Sequence, residues 1–327
     1  KKKKMKKKKK IICTLGPSSM NKKFLEYSTN NIDLLRLNMS HISLNSLEKN
    51  IKFIKKYTNT QICIDTEGAQ IRSKIKKKKF FKRKTNLKIT KNNSGDLCLY
   101  PQNVFEKIKI NDVLNIGFDN LKVKIKKIDS YKLDAIVIRE GLLENNKGIH
   151  VENRKVNLNF VTNKDLKAIK IASALKIKNF ALSFTNSSAD VVSFGKLLPN
   201  KSSKIYKIET KLAVKNFIKI TKVGSNFLID RGDLSKDIDI INIPVVQRNI
   251  IKIKNNLKNK HVYIATNLLE SMVKNNYPTR GEVNDIYSSL EMGSDGLVLA
   301  AETAIGKHPI ECVKLIKQII NKFNKTF

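Results

Sequence analysis

Short apolar runs alternate along most of the chain with longer segments in which apolar residues recur every three to four positions. The short runs predict buried strands, and the longer periodic segments predict amphipathic helices. The predicted strands cover residues 11–19, 33–37, 61–64, 179–182, 203–208, 227–229, 261–265 and 294–299. The predicted helices cover residues 21–30, 44–57, 163–175, 187–198, 213–223, 268–272 and 307–323.

Eight strands, nearly all followed by a helix, predict an α/β fold of the (β/α)8 TIM-barrel class. In such a barrel, function lies in the loops that follow the strands. The polar residues that are candidates for a functional site stand at the carboxyl ends of the predicted strands. Neither the composition nor any single motif requires this arrangement. We therefore expect them to form one site at one end of the barrel.

The pattern changes between residues 73 and 155, where apolar residues alternate with lysine in short runs such as LKIT, LCLY and KVKIKKI. This period of two predicts short antiparallel strands. We therefore predict a barrel domain of residues 11–72 and 156–327, interrupted by a small β-barrel domain at 73–155. The basic run at 1–10, in which Met5 is a candidate start, predicts a disordered tail. The lysine run at 76–79 is expected to be solvated.

The stretch 204–235 places Lys207, Glu209 and Asp233 at the ends of two apolar runs. Two carboxylates beside an ammonium favour a hard divalent cation with oxygen ligands, and Mg²⁺ fits best. The RGD turn at 231–233 adds backbone N–H groups at a position that favours an anion. The alternative is that Lys207 and Glu209, two residues apart on a strand, form an ordinary ion pair.

Seven motifs carry a resemblance to a known family. They are RLNMSH at 36–41, DTEGAQIR at 65–72, KIYKIE at 204–209, DRGDLS at 230–235, ATNLLESM at 265–272, PTRGEVND at 278–285 and AAETAIGKHP at 300–309. In type and order they resemble the motifs of pyruvate kinases, among them RLNxSH, DTKGPEIR, KIE and ARGDLG. The resemblance covers residues 10 to about 320.

The resemblance implies phosphoryl transfer from phosphoenolpyruvate to ADP, giving pyruvate and ATP, as in glycolysis. Such a transfer needs positioning and charge neutralisation far more than a protein nucleophile. By resemblance, Glu209 and Asp233 would hold Mg²⁺ or Mn²⁺. Lys207, with Arg36 and Arg72, would stabilise the transferring phosphoryl group.

Further roles follow from the same resemblance. The backbone N–H groups of Gly232 and Asp233 would bind the substrate carboxylate, and Thr266 would help to deliver a proton to the enolate carbon. The alternative for Thr266 is to cap the helix predicted at 268–272. The inserted domain would close over the nucleotide and exclude water. Nucleotide contacts are expected from Arg36, His41 and Arg72, and a K⁺ site from Asn38, Ser40, Asp65 and Thr66.

The sequence departs from the family pattern at several positions of the expected site. Asp230 stands where the family has alanine and adds a negative charge beside the metal site. The family's SGETAKG becomes AAETAIG, so that Ala300 and Ala301 begin the motif without a hydroxyl and Ile305 replaces a lysine. Gln70 replaces a glutamate associated with potassium dependence. Intact turnover and K⁺ dependence are therefore left open.

Length and charge add further expectations. Family members typically carry another domain of about a hundred residues after the barrel, and we expect this chain of 327 residues to lack that domain and its regulation. The chain has 65 Lys and Arg against 28 Asp and Glu, a net charge of +37, which suits a nucleic-acid or anionic-membrane partner. However, the excess is spread along the whole chain and is mostly lysine beside asparagine and isoleucine, as an A/T-rich coding sequence produces. We therefore expect no specific nucleic-acid partner.

The four cysteines are far apart, which favours a reducing cytoplasm. No apolar run approaches the roughly 20 residues that span a bilayer, so we expect no membrane partner. Three functions remain: a minimal pyruvate kinase, a pyruvate-kinase-like barrel that binds phosphoenolpyruvate without turnover, and a basic nucleic-acid-binding protein. Retention of Lys207, Glu209, Asp233 and Thr266 favours the first, because binding alone does not need all four. A homo-oligomer is left open.

Overall fold

The computed structural model describes residues 8–117, 121–152, 154 and 156–326. The chain divides into two compact units, one formed by the described residues up to Gly68 and from Asn163 onward, the other by Ala69–Thr162. The insertion predicted at 73–155 lies inside the second unit. Residues 1–7 of the predicted disordered tail lie outside the described residues. Lys10 already belongs to the first strand, so the prediction of disorder is wrong there.

The helices and strands follow in chain order. The first unit begins with β1 (Lys10–Thr14), α1 (Lys22–Ser28), β2 (Leu34–Asn38), α2 (Leu44–Tyr57) and β3 (Ile62–Asp65). The second unit contains β4 (Ile71–Lys74), β5 (Lys79–Phe81), β6 (Asn86–Thr90), β7 (Cys98–Tyr100), a 3₁₀ helix (Gln102–Lys107), β8 (Val113–Ile116), β9 (Leu121–Ile128), β10 (Lys132–Arg139), β11 (Gly141–Leu143) and β12 (Gly148–Val151).

The chain then returns to the first unit. Its remaining elements are α3 (Asn163–Ala174), β13 (Asn179–Leu182), α4 (Ser188–Leu197), β14 (Ser203–Ile208), α5 (Lys211–Lys215), α6 (Phe217–Val223), β15 (Asn226–Asp230), α7 (Arg231–Leu234), a 3₁₀ helix (Ile240–Asn242), α8 (Ile243–Asn255), β16 (His261–Ala265), a 3₁₀ helix (Glu270–Val273), α9 (Arg280–Met292), β17 (Gly296–Leu299), α10 (Ala301–Ala304) and α11 (Pro309–Thr326).

The strands of the first unit close into a parallel barrel in the order β1-β17-β16-β15-β14-β13-β3-β2. The predicted (β/α)8 barrel is confirmed. Its interior is filled by one side-chain cluster: Ile12, Leu34, Cys63, Ala181, Ile205, Leu228, Tyr263, Ala265 and Val298. Because all the strands are parallel, their carboxyl ends meet at one rim, where polar residues replace this apolar filling.

Two helix predictions in the first unit are wrong in detail. The helix predicted at 213–223 is divided into α5 and α6, because Asn216 leaves helical geometry and its side-chain amide donates to the carbonyl of Asn186 at 2.8 Å. The helix predicted at 268–272 is the 3₁₀ helix at Glu270–Val273. Thr266 and Asn267 before it have φ values of 71° and 54°, which no α-helix can include.

The second unit is an antiparallel sheet in the order β6-β10-β9-β8-β12-β4-β7, with β11 and β5 paired beside it. The N–H of Thr90, at the end of β6, donates to the carbonyl of Leu97, next to β7, at 2.8 Å. The sheet is therefore a nearly closed barrel, as the period-two pattern predicts. Alternate strand residues such as Leu121, Val123 and Ile125 point into its core. The lysines at 76–79 are exposed, as predicted.

Among the described residues, no helix combines the length and the apolar character that crossing a membrane requires.

Candidate active site

Lys207 forms the centre of the polar rim of the parallel barrel. It lies near the end of β14 and is only 3% exposed. Its ammonium Nζ is 2.7 Å from Glu209 Oε1, 3.3 Å from Asp65 Oδ2 and 3.6 Å from Asp230 Oδ2. Burial lowers the pKa of Lys207, but the carboxylates of Asp65 and Glu209 outweigh burial and raise it. The side chain is therefore a permanent cation fixed by acidic residues at the ends of β3, β14 and β15.

Asp65 holds a second buried cation beside Lys207. The carboxylate, at the end of β3, accepts hydrogen bonds from Arg36 Nε at 2.8 Å and from the hydroxyl of Ser183 at 3.1 Å. Arg36 is 5% exposed, and its Nη1 also donates to the hydroxyl of Thr14 at 3.3 Å. Two of the predicted phosphoryl-contacting cations, Arg36 and Lys207, are thus fixed to one aspartate.

Glu209 is oriented by the backbone on one side only. Its Oε2 accepts the N–H of Phe184 at 2.6 Å, whereas Oε1 is buried without a hydrogen bond. The partner of Oε1 is Lys207 Nζ, which lies 2.7 Å away and forms an ion pair with it. Burial raises the pKa of Glu209 and the carboxylates of Asp233 and Asp230 raise it further, which overcomes the lowering by Lys207. A carboxylate kept under such repulsion suits a site for a multivalent cation.

Three carboxylates could hold that cation. One ligand atom from each of Glu209, Asp230 and Asp233 lies within 4.8 Å of the other two. The predicted ligands Glu209 and Asp233 are therefore brought together, and Asp230 joins them from the end of β15. Asp233 is partly buried, and its Oδ1 is 2.5 Å from the ammonium of Lys236. Hard oxygen donors in this number fit Mg²⁺ or Mn²⁺.

Gly232 and Thr266 are joined directly. The N–H of Gly232 donates to the hydroxyl of Thr266 at 2.8 Å, and the N–H of Asp233 approaches Asp230 Oδ1 at 3.4 Å. The two N–H groups expected to bind a substrate carboxylate thus have acceptors within the protein. The predicted alternative for Thr266 as a helix cap does not fit, since its hydroxyl pairs with Gly232 and with the carbonyl of Ala265.

Thr266 adopts a strained backbone conformation. A φ of 71° is unusual for a β-branched residue and costs on the order of 1–3 kcal/mol. Arg231 stabilises this conformation, because its Nη2 and Nε donate to the carbonyl of Thr266 at 2.6 and 3.1 Å while its Nη1 pairs with Asp285 at 2.7 Å. Backbone strain of this kind is typical of functional positions.

The residues predicted to bind K⁺ lie together at the ends of β2 and β3. Asn38 and Asp65 are register partners. Asn38 Oδ1 accepts the N–H of Ser40 at 3.0 Å, and the hydroxyl of Thr66 accepts the N–H of Ser183 at 3.0 Å. A lysine already contacts this segment: the ammonium of Lys164 is 2.5 Å from the Met39 carbonyl and 2.8 Å from Glu67 Oε1.

The two remaining predicted residues are His41 and Arg72. His41 follows β2 in the first unit but its side chain is exposed. Arg72 lies on β4 in the second unit, where its Nη1 is 3.4 Å from the carbonyl of Asn146. The expectation that every polar candidate follows a strand of the parallel barrel is therefore wrong for Arg72. The roles expected of both residues stay predictions.

The sequence predicted Asp230 only as an added charge beside the metal site, and it gave Ser183 and Glu302 no role there. Ser183 lies 3.2 Å from Lys207 Nζ, and its hydroxyl bonds Asp65. Glu302, 1% exposed, accepts the N–H groups of Leu268, Leu269 and Ala300 at 3.2, 3.1 and 2.7 Å. It ties the segment after Thr266 to the end of β17. The available signal was an acidic residue at the end of a barrel strand for Asp230, and one shortly after a strand for Glu302.

The fold and the site together define a class: a (β/α)8-barrel enzyme whose rim combines the buried cations Arg36 and Lys207 with three carboxylates that could hold a divalent cation. A family model described as the barrel domain of pyruvate kinase matches residues 6–313. The chain belongs to the pyruvate kinase family.

Individual relatives agree with the family match. A pyruvate kinase of Thermotoga maritima is 31% identical over 339 residues, covering 97% of this chain and 71% of that protein. A pyruvate kinase of Methanocaldococcus jannaschii is 33% identical, covering 96% of this chain and 69% of that protein. A pyruvate kinase of Chlamydia muridarum is 30% identical, with 97% and 69% covered. Relatives in bacteria and archaea thus support pyruvate kinase function, which is that of a phosphotransferase.

Proposed function

We propose that this chain transfers the phosphoryl group of phosphoenolpyruvate to ADP, with Lys207 and Arg36 as the cations that stabilise the transferring group. The observation that carries the proposal is the fixed position of Lys207, whose ammonium is buried among Asp65, Glu209 and Asp230. A charge held in place before the reaction stabilises developing negative charge without the cost of reorganisation. Phosphoryl transfer depends mainly on such stabilisation.

The proposed metal ligands are Glu209 and Asp233. Magnesium bound there would supply positive charge to the oxygens of the substrate and of the transferring phosphoryl group. The N–H of Phe184 holds Glu209 in orientation at 2.6 Å, and the exposed side chain of Lys236 would release Asp233 Oδ1 when the metal binds. The convergence of carboxylate oxygens from Glu209, Asp230 and Asp233 within 4.8 Å of one another supports this assignment.

Thr266 is proposed to help deliver the proton that converts the enolate to pyruvate. Its hydroxyl is within 2.8 Å of the Gly232 N–H, and its strained backbone is stabilised by Arg231. Gly232 and Asp233 would bind the substrate carboxylate through their N–H groups, in exchange for their present acceptors Thr266 and Asp230. This exchange would free a lone pair of the Thr266 hydroxyl, and its proton, now donated to the Ala265 carbonyl, would have to turn towards the enolate or a water for proton transfer.

Further parts of the proposal rest on the resemblance. Potassium would bind beside Asn38, Ser40, Asp65 and Thr66, and His41 and Arg72 would contact the nucleotide. The unit Ala69–Thr162 would act as the lid that excludes water. A cytoplasmic location is supported by the cysteines, all four of which are free thiols.

The test compares wild type with Lys207→Met in pyruvate formation from phosphoenolpyruvate and ADP, with Mg²⁺, with and without K⁺. The matched control is Lys204→Met on the same strand, which removes one ammonium outside the buried group. We expect Lys207→Met to lower kcat by at least about a hundredfold, the usual effect of losing one fixed charge stabiliser, and the control to retain activity. Equal activity in both variants would contradict the proposal.

The second candidate is a relative that binds phosphoenolpyruvate without turnover. Ala300 favours it, because its backbone N–H is fixed to Glu302 but its side chain offers no hydroxyl for a proton route. Wild type that binds phosphoenolpyruvate in the presence of Mg²⁺, yet forms no pyruvate with or without K⁺, would establish this function. Ala300→Ser would then be the first variant in which to seek turnover.

A further inference from the structure

Asp230 is a buried acid at the end of β15. It is 4% exposed, and its contacts to donors are long: Oδ2 is 3.6 Å from Lys207 Nζ, and Oδ1 is 3.4 Å from the N–H of Asp233. The ammonium of Lys207 lies closer to Glu209 and to Asp65 than to Asp230. A buried carboxylate is costly unless a cation or several donors compensate its charge. Asp230 therefore lacks close compensation from the protein groups that contact it.

The balance of charges at the rim also favours a bound cation. Four carboxylates, those of Asp65, Glu209, Asp230 and Asp233, lie beside two buried cations, Arg36 and Lys207. Arg36 and Asp65 compensate each other at 2.8 Å. The other three carboxylates share the ammonium of Lys207, the exposed lysine at 236 and the more distant charge of Arg36, so that four carboxylates face three cations. A divalent cation would remove this excess of negative charge.

Glu209 provides a separate observation that points to a ligand. It is 1% exposed, and its Oε1 is paired at 2.7 Å with Lys207 Nζ, an ammonium that it shares with Asp65 and Asp230. Oxygens of all three acids, Glu209, Asp230 and Asp233, lie within 4.8 Å of one another. Oxygen ligands at this spacing can converge on one ion, and a higher count of charged ligands increases the affinity of a site for a hard cation.

We propose that Asp230 is a third carboxylate ligand of the divalent-cation site, so that this chain binds the metal tightly before any substrate is present. The inference rests on the proposed site at Glu209 and Asp233 and extends it. A third ligand from the protein takes a position that water or substrate would otherwise fill. Metal affinity therefore depends less on the substrate than it would with two carboxylates.

The test measures metal binding without substrate. Free Mn²⁺ is followed by electron paramagnetic resonance as each protein is titrated, for wild type, Asp230→Ala, Asp230→Asn, Glu209→Gln and Asp233→Asn. Glu291→Gln is the control, since it removes one negative charge from an exposed position on α9. We expect Asp230→Ala to raise the Kd for Mn²⁺ at least tenfold, Glu209→Gln and Asp233→Asn to raise it similarly, and the control to match wild type.

Asp230 as a third ligand and the metal site as a whole would be contradicted by different results. If Glu209→Gln and Asp233→Asn weaken binding but Asp230→Ala and Asp230→Asn do not, Asp230 is not a ligand, and the two-carboxylate site stands. If none of the variants weakens binding, the proposed metal site itself is wrong. Tighter binding in Asp230→Ala would also overturn the inference. Asp230→Asn preserves the side-chain volume and decides the question if Asp230→Ala fails to fold, as judged by circular dichroism.

Discussion

Replacing Glu302 by alanine should destabilise the barrel unit, although the residue is placed in no chemical step. Its two carboxylate oxygens accept the N–H groups of Leu268, Leu269 and Ala300 at 3.2, 3.1 and 2.7 Å, and the side chain is 1% exposed. Each lost hydrogen bond to a buried group costs about 1 kcal/mol or more. Three together give at least about 3 kcal/mol, or a fall in melting temperature of roughly 6–12 °C for a unit of this size.

Thermal unfolding followed by circular dichroism at 222 nm measures this change. The control is Glu311→Ala on α11, where an exposed glutamate is lost from the surface; it should melt within about 1–2 °C of wild type, as surface changes do. Glu302→Gln keeps one oxygen acceptor and should fall between the two. If the melting temperature of Glu302→Ala equals that of the control, these three hydrogen bonds do not tie the segment after Thr266 to β17.

Four further predictions address pH, thiols, metal and salt. Burial raises the pKa of Asp295, but hydrogen bonds from Lys254 and the Val262 N–H lower it more. This stabilisation is therefore present above the unfolded-state pKa of about 4 and is lost as the pH falls through the lower folded value. The difference in urea midpoint between wild type and Asp295→Asn should be largest at pH 7 and should shrink below about pH 4; an unchanged difference would contradict it. A thiol reagent should label one cysteine of the native chain, Cys98, which is half-buried, and all four in urea, since the other three are buried; Cys98→Ser should abolish native labelling. Mg²⁺ at a hundredfold excess over its Kd should stabilise the folded chain by about 2.7 kcal/mol, and Glu209→Gln should remove this gain in a melting assay. Polynucleotide binding due to the net charge of +37 should weaken steeply between 50 and 200 mM salt, as counterion release requires; such binding in a chain that shows no metal-dependent ligand binding would favour the nucleic-acid alternative.

The barrel could be predicted from the sequence because each strand is a short apolar run that ends at a polar residue. The run before Glu209 and the run before Asp233 gave both the strands and the rim on which their side chains meet. Parallel pairing then brings these side chains together, since it places the carboxyl ends of all the strands at one edge. Local patterns of this kind need no knowledge of long-range contacts, which is why fold and rim were predicted together.

What the sequence could not supply are the contacts across the rim. Ser183 and Asp65 are 118 residues apart, and their hydrogen bond depends on β13 lying next to β3. The φ of 71° at Thr266 has no pattern of its own, so a helix was predicted where the backbone turns into a 3₁₀ helix. The break between α5 and α6 depends likewise on a distant carbonyl, that of Asn186.

The rim combines groups that would not be buried together for stability alone. Taking the carboxylates of Asp65, Glu209 and Asp230 from water costs free energy that one ammonium at Lys207 recovers only in part. A well-packed apolar rim would be at least as stable. The arrangement is explained if the charges are held ready for cationic and anionic ligands, because fixed charges stabilise a phosphoryl-transfer transition state without reorganising. The free-energy cost of burying these charges and their capacity for catalysis therefore have one origin.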